Sequence, residues 1–213
     1  MFADLKWRVE SIDIDPLSNA TKKMNIMDFD PERHLKVVPD FAWMSPDCST
    51  YSHAAGRHHR NPKRGELETS RKAGEHNMYL TKITQFLRWG LPKHRHMIFV
   101  IENPLGYLKD MPLMKKLVKE LRLYEVTVNY CAFGKDVKKP TNLWTNDRRL
   151  SELLARFTCM CTQPHNGSVQ KETDREHSCI PEALAYFVAK YVDSKFWLEG
   201  IQDEPSAIPW TYS

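Results

Sequence analysis

The sequence predicts an α/β protein of Rossmann-like type, in which helices cover both faces of a parallel sheet. Two short apolar runs, 41–44 and 97–101, are rich in β-branched or aromatic residues and have the character of buried strands. Apolar residues at helical spacing follow each run, so strands and helices alternate through the first two thirds of the chain. With 213 residues, of which 41% are hydrophobic and 27% charged, the chain suits one globular domain.

The remaining elements are predicted from local patterns. Residues 7–13 alternate enough for a strand, which Pro16 stops, and 24–26 have the character of a small strand. The stretch 45–74 has no apolar period and is predicted to be a long loop, a length that is usually functional or mobile. The further predicted helices are 75–89, 111–121, 150–157 and 181–192, and the further strands are 124–130 and the later part of 133–146.

The chain divides by composition into one domain and a tail. Residues 1–198 are predicted to form a single domain, without internal repeats or low-complexity tracts. Within this domain, 159–178 is polar and irregular. The tail, 199–213, is expected to be loosely attached.

Positive charge is concentrated in the loop that follows Cys48. The net charge of the chain is only +4, but between residues 53 and 72 basic side chains far outnumber Glu66 and Glu68. The basic side chains are Arg57, Arg60, Lys63, Arg64, Arg71 and Lys72, with His58 and His59. A basic segment beside a candidate catalytic thiol favours a polyanionic partner, nucleic acid above all. The alternative is an ordinary solvated loop.

Nothing in the sequence predicts membrane attachment or secretion. The chain has no apolar stretch that approaches the roughly 20 residues of a membrane span. Its first residues do not form a signal peptide, because Asp4 and Lys6 interrupt the apolar positions. The five cysteines are an odd number, which argues against a disulfide framework and for free thiols in a reducing compartment. We therefore expect an intracellular protein.

A thiol and a carboxyl directly follow two of the predicted strands. Cys48 lies just after 41–44, and Glu102 lies just after 97–101. In a parallel α/β sheet, ligands bind at the carboxyl ends of the strands, so these side chains are candidates for a nucleophile and an acid in one pocket. The alternatives are a buried, unreactive cysteine and a glutamate that caps a helix.

Four motifs stand in order along the chain. They are SPDCSTYS at 45–52, IENP at 101–104, FG followed by KKPTNLWTN within 133–146, and IPEAL at 180–184. In this order and spacing they resemble the DNA cytosine-5 methyltransferase family, in particular its short phage- or virus-type branch. The resemblance covers nearly the whole chain and implies a Rossmann-like methyltransferase sheet, double-stranded DNA as the partner and S-adenosylmethionine as the cofactor. It also implies an intracellular setting, in a bacterial host or in the nucleus or cytoplasm of a virus host.

By this resemblance, Cys48 and Glu102 act on one cytosine ring. The Cys48 thiolate adds to C6 and loads electron density onto C5, which then takes a methyl group from S-adenosylmethionine. Nearby basic groups are expected to favour the thiolate. Glu102, protonated because enclosure raises its pKa, hydrogen-bonds ring N3. The target base must leave the duplex, because its ring carbons are inaccessible in the stack.

The resemblance also implies a cofactor site. Asp13 occupies the strand-end position of the acid that binds the ribose hydroxyls, although it can equally be an acid that simply ends a strand. Asn25 stands where the family usually has an aspartate, and its carbonyl can accept from the adenine amino group. Ile26 is expected to lie against the adenine ring, and Pro46 is the fourth predicted cofactor contact.

DNA contacts follow from the same resemblance. The loop 53–72 corresponds to the family's mobile loop, which closes over the DNA and the flipped base. The residues predicted to contact DNA are Ser52, Arg57, Arg60, Lys63, Arg64, Lys139 and Thr141. Where the family commonly has two arginines, this chain has Lys139 and Thr141, and lysine contacts phosphate without the bidentate geometry of arginine. The segment 147–178 is shorter than the usual target-recognition region, so we expect reduced sequence selectivity.

The chain departs from the family at its start. The family begins with a strand and a glycine-rich turn that binds the methionine half of the cofactor, whereas Met1 falls within the helix that should follow that turn. We therefore expect a sheet without its N-terminal strand, with unpaired strand edges and an incomplete cofactor site. The alternative to an active enzyme is a truncated or degenerate, inactive relative that only binds DNA or a protein partner. A smaller departure is Asp47, which replaces the proline that usually precedes the nucleophile.

Cysteines and histidines recur near the end of the predicted domain. They are Cys159, Cys161, His165, His177 and Cys179. Thiolates and imidazoles are the usual ligands of zinc, but this spacing is not a standard pairing, and loops often contain such residues by chance. No metal site is predicted. A zinc-dependent DNA-binding module built on these residues is a third interpretation.

Overall fold

The computed structural model describes residues 2–53, 58–61, 67–162, 165 and 179–198, and the backbone of 206–210. The strands in this part of the chain are β1 (Arg8–Val9), β2 (Ile12–Asp13), β3 (Lys22–Lys23), β4 (Phe41–Met44), β5 (Arg60–Asn61), β6 (Leu67–Glu68), β7 (Ile98–Pro104), β8 (Tyr124–Asn129), β9 (Pro140–Thr145) and β10 (Ser206–Trp210). The helices are α1 (Pro31–His34), α2 (Arg71–Gly90), α3 (Pro112–Leu121), α4 (Arg148–Leu154) and α5 (Glu182–Leu198). Short 3-10 turns lie at Ala3–Leu5, Ile26–Asp28, Tyr107–Asp110 and Tyr130–Phe133.

The centre of the sheet is mixed. The strands β4, β7, β9 and β8 lie side by side in this order. β4 and β7 are parallel, with Phe41 beside Ile98 and Met44 beside Ile101. β9 runs antiparallel to both β7 and β8, so the prediction of a wholly parallel sheet is wrong on this side. β4 and most of β7 are buried, which explains their continuous apolar sequences, because a strand covered on both faces needs no alternation.

β10 extends the sheet on the other side of β4. Its backbone is parallel to β4, from Ala207 beside Phe41 to Trp210 beside Met44. It also pairs with β1 and β2, beyond which β3 follows. The sequence predicts a sheet that lacks its N-terminal strand and leaves strand edges unpaired. In the structure, β10 pairs with this edge of β4. The expectation of a loosely attached tail is wrong for 206–210, while the other tail residues lie outside the described part of the chain.

Helices cover both faces of the sheet. Successive side chains of a strand point to opposite faces, and this alternation divides the apolar core in two. On one face, β4 and β7 contribute Ala42, Met44, Phe99 and Ile101, which pack with α2 and α3. On the other face they contribute Phe41, Trp43, Ile98 and Val100, which pack with α4 and α5. The predicted α/β class with helices on both faces is confirmed.

Helix starts follow capping residues rather than the apolar spacing. α2 begins after Ser70, whose hydroxyl accepts a hydrogen bond from Ala73 N at 3.2 Å, and it therefore starts earlier than predicted. Asp147 caps α4 in the same way, accepting from Leu150 N at 2.8 Å. α5 runs past its predicted end to Leu198.

Two local predictions need correction. The predicted strand 7–13 is divided into the short strands β1 and β2. The predicted small strand 24–26 is wrong, because Asn25 caps the 3-10 turn Ile26–Asp28 with its side chain. Within the long loop 45–74, β5 and β6 form a short antiparallel pair.

Candidate active site at the carboxyl ends of β4 and β7

Cys48 lies in a tight turn directly after β4. Its carbonyl accepts hydrogen bonds from Tyr51 N at 2.9 Å and from Ser52 N at 3.0 Å. The Asp47 carboxylate accepts from Ser49 N at 2.7 Å in the same turn. These local bonds satisfy the backbone where the strand ends. The Cys48 side chain is left partly exposed at the carboxyl end of the sheet.

A side-chain hydrogen bond ties this turn to the end of β7. Asn103 Nδ2 donates to Pro46 O at 2.8 Å, and both residues are buried. Pro46 thus anchors the turn, and its predicted contact with a cofactor stays a prediction. Asn103 Oδ1 has no hydrogen-bond partner among the described residues. A buried carbonyl oxygen of this kind is a place where a water molecule or a ligand can donate.

Glu102 lies on β7 next to Asn103 and is 5% exposed. Tyr130 OH donates to its Oε1 at 3.0 Å, and the Ser45 hydroxyl also bonds to the carboxyl. Burial raises the pKa of Glu102, although the charge of Lys139 and the two hydroxyls favour the carboxylate. A raised pKa is what a carboxyl group needs in order to donate a proton near neutral pH.

The thiol of Cys48 and the carboxyl of Glu102 lie close enough to influence each other electrostatically. They come from the adjacent strands β4 and β7, which are paired in register up to Met44 and Ile101. A carboxylate at Glu102 raises the pKa of the Cys48 thiol, and the Lys139 ammonium lowers the pKa of both groups. Because charges change a neighbouring pKa mainly at short range, these three side chains line one site.

The surroundings of the Cys48 thiol disfavour its ionised form. Burial raises its pKa to about 11, and the carboxylates of Glu102 and Asp47 act in the same direction, against Lys139. Lys139 favours the thiolate, as expected of a nearby basic group, but burial outweighs the lysine. A pKa of about 11 leaves roughly one thiolate in ten thousand at pH 7.

A buried arginine holds the Cys48 turn in place. Arg60 is 1% exposed. Its guanidinium donates to Thr50 O at 2.9 Å, to Thr50 Oγ1 at 3.0 Å and to Asn77 Oδ1 at 3.1 Å. It also lies 4.0 Å from the centroid of the Tyr51 ring. The charge of Arg60 is enclosed between this turn and α2, and its predicted DNA contact stays a prediction.

A second polar residue of α2, His76, supports the same turn. Its Nδ1 lies 3.0 Å from Thr50 Oγ1, and its Nε2 lies 3.6 Å from Asp47 Oδ2. Burial lowers the pKa of His76, although Asp47 acts in the opposite direction. Sequence reasoning missed both His76 and the structural role of Arg60, because neither the apolar period nor any of the four motifs marks them.

Close backbone packing joins the segment after β7 to the Cys48 turn. Tyr107 N donates to Tyr51 O at 2.7 Å, and Ser52 forms an isolated antiparallel bridge with Gly106. A Cβ on Gly106 would lie 2.2 Å from Tyr51 O, a distance that excludes every side chain at this position. The predicted DNA contact of Ser52 stays a prediction.

The two residues in place of the family's arginines differ in exposure. Lys139 is partly buried, and its ammonium lies 5.0 Å from the centroid of the Tyr130 ring, so it borders the site. Thr141 is 0% exposed and hydrogen-bonds Tyr130. Its predicted DNA contact stays a prediction. The predicted DNA contacts Arg57, Lys63 and Arg64 lie outside the described residues.

The predicted cofactor residues fit that role only in part. Asp13 ends β2 and is 5% exposed, and its Oδ1 accepts from Asp15 N at 2.9 Å. Asn25 Oδ1, the expected acceptor for an adenine amino group, already accepts from Met27 N at 2.9 Å. Ile26 is 2% exposed within the apolar core. Asp13 therefore fits a ribose-binding acid by position, whereas Asn25 and Ile26 do not present an adenine pocket.

Three of the candidate metal ligands come together with a cysteine from elsewhere in the chain. The ligand atoms of Cys131, Cys159, Cys161 and His165 all lie within 4.8 Å of one another. Cys179 is exposed and is not part of this group. His177 lies outside the described residues.

No protein-family model matches the chain, and a comparison with curated proteins finds no match either. Among the described helices, none combines the length and the apolar character that a membrane crossing requires. The interpretation of the site therefore depends on its geometry and on the four sequence motifs.

Proposed function

We propose that this chain is a DNA cytosine-5 methyltransferase-like protein with a Rossmann-like methyltransferase sheet. The observation that carries the proposal is the closeness of a thiol and a buried carboxyl, which two adjacent parallel strands bring to the same end of the sheet. The hydrogen bond from Asn103 to Pro46 fixes the two loops relative to each other. The four motifs give this pocket its chemical interpretation.

In the proposed reaction the two side chains act on one pyrimidine ring. The Cys48 sulfur bonds to C6 of cytosine, and the electron pair of the C5–C6 double bond moves into the ring. Glu102 donates a hydrogen bond to N3 and stabilises the charge that develops there. Tyr130, which bonds to Glu102 at 3.0 Å, positions the carboxyl. S-adenosylmethionine, when bound, supplies the methyl group for C5. Loss of the C5 proton to a base then restores the C5–C6 double bond and releases the Cys48 thiolate from C6.

The high pKa of Cys48 makes thiolate formation part of the binding event. In this structure burial keeps the thiol neutral. A DNA phosphate that approaches Lys139 would weaken the effect of the lysine on the pKa of the Cys48 thiol. The thiol proton must therefore be taken by another group, either one that arrives with the substrate or one on a rearranged loop. The loop 53–72, with Arg57, Lys63 and Arg64, is the proposed closing element over double-stranded DNA.

A second candidate function is an inactive relative that binds DNA or a protein partner. The observation that favours it is the state of the adenine-binding positions, because Asn25 caps a turn and Ile26 packs in the core. This candidate keeps the fold and the basic loop but does not transfer a methyl group.

Two modified cytosines separate these candidates. A duplex that contains 5-azacytosine tests addition of Cys48 alone, because the nitrogen at ring position 5 makes C6 electrophilic without a methyl donor. A duplex that contains 5-fluorocytosine gives a stable adduct only after methyl transfer, because fluorine cannot leave as a proton does. We expect both adducts by denaturing gel electrophoresis, the second only with S-adenosylmethionine.

Cys48→Ser should abolish both adducts, and the exposed Cys179→Ser serves as the matched control that retains them. An adduct with 5-azacytosine alone would identify a nucleophile without a working cofactor site, which supports the inactive relative. The absence of any adduct at Cys48 would overturn the proposed reaction.

A further inference from the structure

Two distant segments bring four metal-binding side chains together at one edge of the domain. Cys131 lies in the 3-10 turn Tyr130–Phe133, directly after β8. Cys159, Cys161 and His165 lie in the segment that follows α4. Their ligand atoms all lie within 4.8 Å of one another. Cys131 was not among the metal ligands considered from the sequence, because it is far from the other three residues along the chain.

The spacing of these atoms is close to that of a tetrahedral zinc site. Bonds of about 2.3 Å to sulfur and about 2.0 Å to nitrogen place the ligand atoms of such a site roughly 3.5–3.8 Å apart. Cys159 Sγ and His165 Nε2 are 3.6 Å apart. Small rotations of the other side chains close the remaining distances around one ion.

Contacts beside the four ligands hold the two segments together. The Phe157 ring stacks on the Phe133 ring with centroids 4.5 Å apart, and Asn129 N donates to Phe157 O at 3.1 Å. These contacts place the segment that follows α4 against the turn that holds Cys131.

The ligand set selects the kind of metal. Three thiolates and one imidazole are soft donors that suit zinc, and a closed set of four protein ligands is typical of structural rather than catalytic sites. Three thiolates around one divalent ion give a net charge of −1. The Lys138 ammonium acts electrostatically on Cys159 and partly offsets that charge.

We propose that Cys131, Cys159, Cys161 and His165 bind one structural zinc ion. The ion ties the segment 157–165 to the turn Tyr130–Phe133. Tyr130 in this turn holds the Glu102 carboxyl, so the metal also fixes one wall of the candidate active site. The zinc proposal does not rest on the proposed methyl transfer, because the zinc ligands take no part in that reaction.

Metal analysis of the full chain tests this proposal. The protein, purified with a thiol reductant and dialysed against metal-free buffer, is expected to contain one zinc ion per chain by mass spectrometry of the elements. Co²⁺ exchanged into the site should give the ligand-field and thiolate charge-transfer bands of tetrahedral sulfur-rich coordination. Cys131→Ser and Cys161→Ser should lose the ion, and Cys179→Ser, the matched control, should retain it.

The wild-type protein decides the outcome even if a ligand variant does not fold. Substoichiometric zinc after reconstitution with Zn²⁺ would overturn the proposal. A disulfide between any two of the three cysteines in the reduced preparation, detected by intact-mass measurement before and after alkylation, would overturn it as well. Trapping of modified cytosine by Cys48 is measured separately, so failure of one proposal does not imply failure of the other.

Discussion

Cys48 and the group at Cys131 place thiols in two different surroundings within one sheet. Cys48 stands at the centre, where burial raises its pKa to about 11 and the carboxyls of Glu102 and Asp47 and the ammonium of Lys139 act on it. Cys131 meets two further thiols and an imidazole at the edge, where Cys161 is exposed. The central thiol has no second thiol beside it among the described residues, whereas the edge thiols form a complete ligand set. Whether a cysteine acts as a nucleophile or as a metal ligand depends more on the groups around it than on the thiol itself.

The first way to test this difference is the pH dependence of alkylation. Iodoacetamide reacts with the thiolate, and a pKa raised to about 11 means that the thiolate fraction of Cys48 keeps rising with pH up to that value. We expect the rate at Cys48 to rise about a thousandfold from about pH 7 to about pH 10. Peptide mass spectrometry gives the rate at each cysteine.

Lys139→Met should slow alkylation of Cys48 further, because the lysine lowers the pKa of that thiol. The zinc-bound cysteines should stay protected until a chelator is added. If the alkylation rate of Cys48 levelled off at the pH where ordinary thiols titrate, burial would not raise the pKa of this thiol.

The next largest effect is expected at Arg60, which stabilises the Cys48 turn and not the cysteine group at the edge of the sheet. Arg60→Met removes the donors to Thr50 and Asn77 and the hydrogen bond that Arg60 donates to the buried Thr50 carbonyl. We expect a loss of about 3 kcal/mol in the free energy of unfolding, measured in urea. The control is Arg71→Met, because this side chain is 94% exposed and pairs only across a helix turn with Glu75. The control should change stability by less than about 0.5 kcal/mol. Equal losses in the two variants would show that the buried network adds nothing.

A smaller effect is expected at Gly106, where two backbone segments meet. In Gly106→Ala the added Cβ lies 2.2 Å from Tyr51 O, so the Cys48 turn must move. We expect a loss of about 2 kcal/mol in the free energy of unfolding and a reduced yield of the Cys48 adduct, with zinc content unchanged. Gly74→Ala is the matched control, since nothing lies within 4 Å of a Cβ there, and this change within a helix should stabilise by about 0.5–1 kcal/mol. An unchanged adduct yield in Gly106→Ala would show that the close contact between Gly106 and Tyr51 does not affect the candidate active site.

The strands and helices around the central site follow from the sequence because their signals are local. The runs at 41–44 and 97–101 are apolar throughout, and the polar residues that follow them mark the strand ends where Cys48 and Glu102 lie. The direction of β9 is not local information, since Leu143 and Trp144 have the same apolar pattern in either orientation.

The parts that sequence reasoning missed depend on contacts between distant residues. Arg60 is a basic residue in a basic loop by sequence, and only the position of Thr50 and Asn77 around it shows that it is buried. Cys131 is far from Cys159 along the chain, and only the packing of Phe133 on Phe157 brings the two together. Charge and composition record residue types, but they do not record which partner each side chain meets.

The strand β10 has a consequence for how the molecule folds. It lies between β2 and β4, and its first residue pairs with Arg8 about 200 residues away along the chain. Pairing of such distant segments requires closure of a very long loop, which slows folding. During synthesis β1, β2 and β4 leave the ribosome long before β10 does, so they wait with open edges until the last described strand arrives. We therefore expect the nascent chain to depend on chaperones until synthesis has passed Trp210.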